Sequence, residues 1–276
     1  MTSAAPGTMA DAGPVTKSKP DYNTAELVAI MSARFLEDGK IVFGGAGLPL
    51  VSCILAQRMH APRLTILFEG GVIGPHVEIS KMPPSTNESR CARRANMLLS
   101  ITDVLLLQQR GYVDYGFLGG AQIDQFGNLN SSFIGDPEKP KVRLPGTGGA
   151  NDIASLASKV LVAMHHEKKR FVPKVDFITT PGFLHGGDSR EKSGLWQVGL
   201  YKVITHLGIF GFDERTRRMR LETLHPGVTV DEVKEKTGFE LLIPGEIRYT
   251  DPPTAEELGT LRELDPDRRY TKPREE

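Results

Sequence analysis

Early in the chain, two short apolar stretches run straight into clusters of glycine. Ile41-Val42-Phe43 is followed by Gly44-Gly45-Ala46-Gly47, and Leu64-Thr65-Ile66-Leu67-Phe68 stops at Glu69-Gly70-Gly71. Between them, Leu48-Pro49 opens a helical stretch that reaches about His60. Phe117-Leu118 runs in the same way into Gly119-Gly120-Ala121, and Gly146-Thr147-Gly148-Gly149-Ala150-Asn151 precedes a helical stretch over 152–158. Short buried strands alternating with helices predict an α/β fold: an open, mostly parallel sheet with helices on both faces.

The remaining periodicities extend this plan. Asn23, with Glu26 three residues later, marks a helix start, and Leu27, Val28, Met31 and Phe35 fall on one helical face. Residues 90–100 read as a helix, and 104–107, 159–164 and 175–179 as strands. Beyond about residue 198 the texture changes. Residues 203–212 and 219–224 flank the charged turn 213–218 as a β-hairpin, and Thr229 begins a short helix. There is no internal repeat and no interdomain linker. The expected organisation is a disordered tail over 1–22, one domain over 23–265 with an antiparallel C-terminal appendage, and a loose, charged tail over 266–276.

Composition excludes several function classes. Lys plus Arg equals Asp plus Glu, at 34 each, so there is no electrostatic footprint for nucleic acid or an anionic membrane. No apolar run approaches the ~18 residues of a membrane span. The first twenty residues lack Leu, Ile and Phe, and so lack the apolar core of a secretory signal; a cytoplasmic location is expected. The two cysteines, Cys53 and Cys91, both in segments read as helix, make no disulfide framework and read as free thiols in a reducing compartment.

Glu69 is the residue that calls for an explanation. A carboxylate at the carboxyl end of a buried strand is costly to bury unpaired, and in an open α/β sheet that end is where ligands bind. The two following glycines allow close approach of a ligand, and their N–H groups are candidate oxyanion donors. A structural role is the alternative: a glutamate that caps a helix or pairs with a buried arginine. The loop at 44–47 could place a phosphate at a helix N-terminus, but it lacks both the G-x-G-x-x-G spacing of a dinucleotide site and the GK[ST] ending of a P-loop. Glu78 is the runner-up carboxylate, without a glycine pair after it. His165-His166-Glu167 fails the H-E-x-x-H spacing of a zinc site because position 170 is Arg, and no metal is expected. The same loop carries Lys168, Lys169 and Arg170, which could contact a phosphate. His185 and Trp196 read as solvated or structural.

At these positions the chain resembles the β subunit of family I CoA-transferases, with the glutaconate CoA-transferases nearest. The resemblance runs from about Thr24 to Asp265. It is carried by Gly47-Leu48-Pro49, by Glu69-Gly70-Gly71 where the family has Glu-Ser-Gly or Glu-Asn-Gly, and by Gly119-Gly120-Ala121-Gln122-Ile123-Asp124. It continues through Gly127-Asn128-Leu129-Asn130, through 146–151 and His166-Glu167-Lys168-Lys169-Arg170-Phe171, and ends with Thr180-Pro181-Gly182. It implies a catalytic subunit with Glu69 as nucleophile and substrate or CoA binding by Gly70, Gly71, Gly119, Gly120, Gly148, Gly149 and Ala150. It also implies an α-subunit partner in a hetero-oligomer, and CoA as substrate with no tightly bound cofactor. Gly70 departs from the family, and the missing side chain bears on the acceptor pocket.

The chemistry implied is ping-pong transfer of CoA between (di)carboxylic acids through a glutamyl–CoA thioester. A carboxylate is already anionic near neutral pH and needs no general base to attack. The rival readings are an acyl-CoA hydrolase or decarboxylase on the same scaffold, and a non-catalytic CoA-binding or assembly subunit. Relatives of the first kind lack the glutamate, and a scaffold has no use for a carboxylate in a glycine turn.

Overall fold

The computed structural model describes residues 21–77 and 83–272. Helix α1 (Thr24–Ala33) opens on the expected cap: the Asn23 side chain accepts from the N–H groups of Ala25 and Glu26, and the Glu26 carboxylate accepts from the N–H of Asn23. Strand β1 (Ile41–Phe43) leads into α2 (Leu48–Met59), and β2 (Thr65–Leu67) into the short β3 (Val72–Ile73). Then come β4 (Met97–Leu98), α3 (Ile101–Gln109) and β5 (Tyr115–Leu118). Two small ladders pair β6 (Gln122–Ile123) with β7 (Leu129–Asn130) and β8 (Phe133–Gly135) with β9 (Pro140–Arg143). Helix α4 (Ala150–Leu156), β10 (Lys159–Ala163), α5 (Ser189–Lys192) and β11 (Leu200–Ile204) follow. The chain ends with β12 (Gly208–Phe212), β13 (Met219–Leu224), α6 (Val230–Glu235), β14 (Arg248–Tyr249) and α7 (Ala255–Leu264).

Ten strands form one sheet in the order β14-β13-β12-β11-β10-β5-β1-β2-β3-β4. The central strands β11, β10, β5, β1 and β2 are parallel. Antiparallel pairs extend both ends, among them the hairpin β12–β13 around the charged turn. Alternate residues divide the core between the two faces. Val42, Ile66 and Leu161 pack with α1, α2 and α7, whereas Phe43, Leu67, Val160 and Val162 pack with α3 and α4. Gly116 of β5 faces Ile153 of α4, where a Cβ would overlap Cγ2 of Ile153; glycine lets the helix lie close against the sheet. From β1 the chain moves to β2 on one side and later to β5 on the other, so the carboxyl end of β1 is a topological switch point, where open α/β sheets bind ligands. The expected fold class is the one observed.

Four expected elements differ. The arm read over 203–212 is split: β11 ends at Ile204, and β12 begins at Gly208 and runs antiparallel to it, so only β12 pairs with β13. Residues 90–100 are not a helix: they hold a 3-10 turn at Ser89–Ala92, with Cys91 in it, and then β4. The stretch 104–107, expected as a strand, lies inside α3. Val104-Leu105-Leu106-Leu107 is apolar throughout, so its period cannot separate strand from helix. The capping box decides: Ser100 Oγ accepts from the N–H of Asp103, whose carboxylate accepts from the N–H of Ser100. Residues 175–179 form no strand, because their polar groups serve the small ladders. Asp176 Oδ2 accepts from Gln122 Nε2 and from the N–H of Gly135.

The C-terminal part holds itself to the body of the domain. Helix α7, unanticipated from the sequence, has its own capping box of Thr254 and Glu257, and Glu257 receives Arg34 through two bonds of 2.7 Å. Beyond it, the Asp265 carboxylate accepts from the N–H groups of Arg269, Tyr270 and Thr271 and from the Thr271 hydroxyl. Among the described residues no helix is long and apolar enough to cross a membrane.

Candidate active site

Strand β2 delivers Glu69 into a tight turn. The N–H of Gly71 donates to the carbonyl of Phe68 at 3.0 Å, and the N–H of Phe68 donates to the carbonyl of Val72 at 2.8 Å. Gly71 has φ +98°, and a Cβ there would overlap the carbonyl oxygen of Leu99, so this turn requires glycine. Glu69 is half-buried at the tip.

The carboxylate lines a cavity of about 320 Å³ at the carboxyl ends of β5, β1 and β2. The loop 44–46 after β1, residues 117–119 at the end of β5 and the loop 146–150 before and into α4 form its walls, together with Thr86 and Ser131. Of the residues singled out in the sequence, Glu69, Gly119, Gly148, Gly149 and Ala150 meet in this one cavity. Gly70, Gly71 and Gly120 do not line it. Gly71 spends its N–H on the turn, which removes it as an oxyanion donor, and a Cβ on Gly120 would press on the carbonyl of Gln122 at 3.2 Å. Among the described residues Glu69 is the only ionisable side chain lining the cavity.

The 146–150 loop is set by contacts far along the chain. Ser131 Oγ donates to the carbonyl of Gly146, and Ser131 N–H donates to Thr179 Oγ1. Asn151 Nδ2 donates to the carbonyl of Thr179, anchoring the first turn of α4. The buried Arg190 reaches the far end of that helix: its Nη2 donates to the carbonyl of Ala154 at 2.8 Å. Among the described residues nothing accepts from the N–H groups of Gly148 and Gly149, two residues that line the cavity with Glu69. Thr86 and Ser131 carried no signal of their own, because only the folded chain brings these polar residues to the glutamate.

The other candidates lie elsewhere. His166 is buried, stacked on Phe171 with ring centroids 3.7 Å apart, and its Nε2 meets Thr237 Oγ1 at 2.9 Å. His165 stacks on His206 at 4.0 Å. Lys169 pairs with Glu167, Lys168 is exposed, and Arg170 Nη1 reaches the carbonyl of Gly120 at 3.4 Å. Among the described residues no group of three His, Cys, Asp or Glu side chains could hold a metal ion. Cys53 and Cys91 are free and buried, and burial pushes both thiols up. His185 and Trp196 are exposed, and Glu78 lies outside the described residues.

A parallel sheet with a carboxylate in a glycine-walled cavity at its switch point fits one family by sequence as well as by shape. The family model described as coenzyme A transferase matches residues 25–236, and the chain belongs to that family. Within it, the chain is similar to single subunits of CoA-transferases. One such subunit, from the 3-oxoadipate CoA-transferase of Pseudomonas knackmussii, is 38% identical over 245 residues, covering 88% of this chain and 94% of the relative. Another, from the glutaconate CoA-transferase of Acidaminococcus fermentans, is 36% identical over 253 residues, covering 89% and 94%. The crystal structure of the glutaconate coenzyme A-transferase from that organism superposes with a TM-score of 0.85 at 33% identity, over 91% of this chain and 98% of the other. The decarboxylase AibA/AibB shares the fold at a TM-score of 0.76 and 26% identity, over 90% and 96%.

Proposed function

We propose that this chain is the catalytic subunit of an enzyme moving CoA between (di)carboxylic acids, with Glu69 as the nucleophile. The observation that carries the reading is the meeting of Glu69 with the glycine loops 44–46 and 146–150 in one cavity, which holds no other ionisable side chain among the described residues. A carboxylate without a base or second acid suits a reaction in which it attacks directly.

The Glu69 carboxylate attacks the thioester carbonyl of an acyl-CoA. The C–S bond breaks, CoA leaves as thiolate, and an acyl–glutamyl anhydride remains. The thiolate then attacks the glutamyl carbonyl and expels the original acid as its carboxylate, leaving a glutamyl–CoA thioester. The acceptor carboxylate reverses both steps and departs as its CoA ester. On this reading the N–H groups of Gly148 and Gly149, which line the same cavity, take up the charge that develops on the carbonyl oxygen. That the relatives are themselves single subunits of larger enzymes supports a partner α subunit, which would close the open side of the cavity. The decarboxylase relative supports the second reading, hydrolysis or decarboxylation on the same scaffold, and the carboxylate at Glu69 weighs against it.

The test is to incubate the reconstituted subunit pair with acyl-CoA and no acceptor. A glutamyl–CoA thioester, reducible by borohydride, is expected on the peptide that contains Glu69. Glu69→Ala should abolish transfer, and Glu69→Asp should lose on the order of a hundredfold, the cost of a ~1 Å retreat of a reacting atom. Glu69→Gln keeps the shape and should still fold and bind CoA. Near-normal transfer by Glu69→Gln, with its mass verified against deamidation after the assay, would overturn the assignment.

A further inference from the structure

Glu69 is followed by two glycines that are glycine for different reasons. Gly71 is fixed by its backbone, with φ +98° and Leu99 against it. Gly70 is outside the left-handed region, so its backbone accepts any residue. Its side chain is excluded by a neighbour instead. A Cβ on Gly70 would lie 2.6 Å from Asn87 Oδ1, 3.1 Å from the carbonyl oxygen of Thr86 and 3.2 Å from Cα of Asn87. Rotating the Asn87 side chain relieves the closest of these contacts, but the other two atoms are backbone, and the segment must still give by a few tenths of an ångström.

That segment is part of the cavity, since Thr86 lines it together with Glu69. It is also tied down. The hydroxyl of Tyr270 donates to the carbonyl of Pro83 at 3.3 Å, Cys91 Sγ donates to the carbonyl of Ser85 at 3.5 Å, and the N–H of Asn87 donates to Ser85 Oγ at 3.2 Å. Tyr270 belongs to the stretch held by Asp265, beyond the residues that the family model matches. Its ring stands beside the Gly47 turn, 3.8 Å from where a Cβ there would lie, while its hydroxyl holds the start of the 83–87 segment.

Resting on Glu69 as the nucleophile, we infer that Thr86 is a specificity-determining residue of the site, with Asn87 positioning it against the Gly70 turn. Glycine at position 70 lets the segment that carries them close on the turn, and the Thr86 hydroxyl meets the acyl group beyond the thioester carbonyl. The identity of residue 70 and the position of this wall are then one coupled choice, and Tyr270 is a positioning residue that holds it.

The experiment compares kcat/KM for acetyl-CoA, butyryl-CoA and glutaryl-CoA, with adduct formation at Glu69 measured in parallel, on the reconstituted pair. The proteins are the unaltered enzyme, Thr86→Ala, Asn87→Ala, Gly70→Ser, the double variant Gly70→Ser/Asn87→Ala, and Tyr270→Phe. Thr86→Ala or Asn87→Ala should change the ratio between donors by about tenfold or more, the scale on which pocket walls discriminate small differences in an acyl chain. Gly70→Ser should lower kcat/KM for the preferred donor about tenfold, and adding Asn87→Ala should restore part of that loss. Tyr270→Phe should raise KM for the acyl donor more than it lowers kcat. Adduct formation with donor ratios unchanged within about twofold in both alanine variants would overturn the inference alone. Absence of an adduct in the unaltered enzyme would overturn the Glu69 reading, and this inference with it.

Discussion

A Cβ placed on Gly149 would lie 2.8 Å from Oε1 of Glu69 and 3.2 Å from its Cδ. The backbone of Gly149, with φ −79° and ψ 3°, is one that alanine adopts without strain. Glu69 is therefore what a side chain there would displace. The pair separates a fold requirement from a site requirement, which most glycine loops do not allow.

Gly149→Ala should accordingly leave folding intact and damage turnover. The added methyl must push the carboxylate aside by several tenths of an ångström, and misplacing a reacting group by about 1 Å costs on the order of a hundredfold. A loss of roughly tenfold to a hundredfold in kcat/KM is expected, with the thermal midpoint within about 2 °C of the unaltered protein. A large fall in the midpoint with proportionate loss of activity would show that the glycine serves the fold instead.

Arg190 offers the opposite case, a residue whose work is structural. It is 3% exposed, and its guanidinium donates to the carbonyl oxygens of Gln197, Pro181, Gly182 and Ala154. Burial pulls its pKa down to about 10. Arg190→Met would leave those carbonyls without their donor, at a net cost of about 1 kcal/mol for each bond. A loss of at least about 3 kcal/mol is expected, or roughly 10 °C in the midpoint for a chain of this size. Lysine, with a single reaching ammonium, should fall between the two. Denaturant unfolding of the three proteins checks the order, and a loss below about 1 kcal/mol for Arg190→Met would refute it.

Buried thiols make a third test. Cys53 is fully buried in α2 and Cys91 is 3% exposed, with burial pushing both thiols up. The thiolate is the reactive form, so neither should be alkylated in the native protein while both react after denaturation. Mass spectrometry after iodoacetamide treatment reads this directly. Rapid native labelling that abolishes transfer would overturn the reading of both thiols as buried and unreactive.

What the sequence could reveal followed from how local each signal was. Strands that stop at glycine clusters made the parallel sheet and Glu69 readable, because the punctuation lies beside the residues it positions. The β12–β13 hairpin was readable for the same reason, with its charged turn between two apolar runs. Helix α3 was misread because a run of leucines has no period, although Ser100 and Asp103 carried the cap. Arg190 was invisible: Ser-Arg-Glu-Lys looks like a solvated helix, and its carbonyl partners include one on α4, 36 residues away. Thr86 and Asn87 likewise acquire meaning only when the fold lays them against Gly70.

Acid should weaken the fold through a buried histidine. His166 is 1% exposed, and its pKa is pushed down to about 3 by burial above all, then by the neighbouring His206, Lys236 and His165. The hydrogen bonds explain why the native ring refuses a second proton. Thr237 Oγ1 donates to the carbonyl of Val233, so it accepts from His166 Nε2 and fixes the neutral tautomer. On the other side, Thr205 Oγ1 stands 3.5 Å from Nδ1 and already accepts from the N–H groups of Leu207 and Gly208. In the unfolded chain the same imidazole titrates near 6.5. Between about pH 6.5 and 3 the unfolded state therefore binds a proton that the native state does not, and stability must rise with pH across that window. The contribution is complete above about pH 6.5 and is lost as the pH falls toward 3. The slope is up to about 1.4 kcal/mol per pH unit, so His166 alone should remove about 2 kcal/mol between pH 6.5 and pH 5. His206, pushed down to about 3 by burial and by His165, acts in the same direction. His166→Phe keeps a flat ring against Phe171 and cannot titrate. It should be less stable at pH 7.5, by about 1 kcal/mol for the lost hydrogen bond, yet show a shallower decline below pH 6.5. Urea unfolding at a series of pH values checks this. Parallel stability curves for the two proteins would mean that the acid sensitivity arises elsewhere.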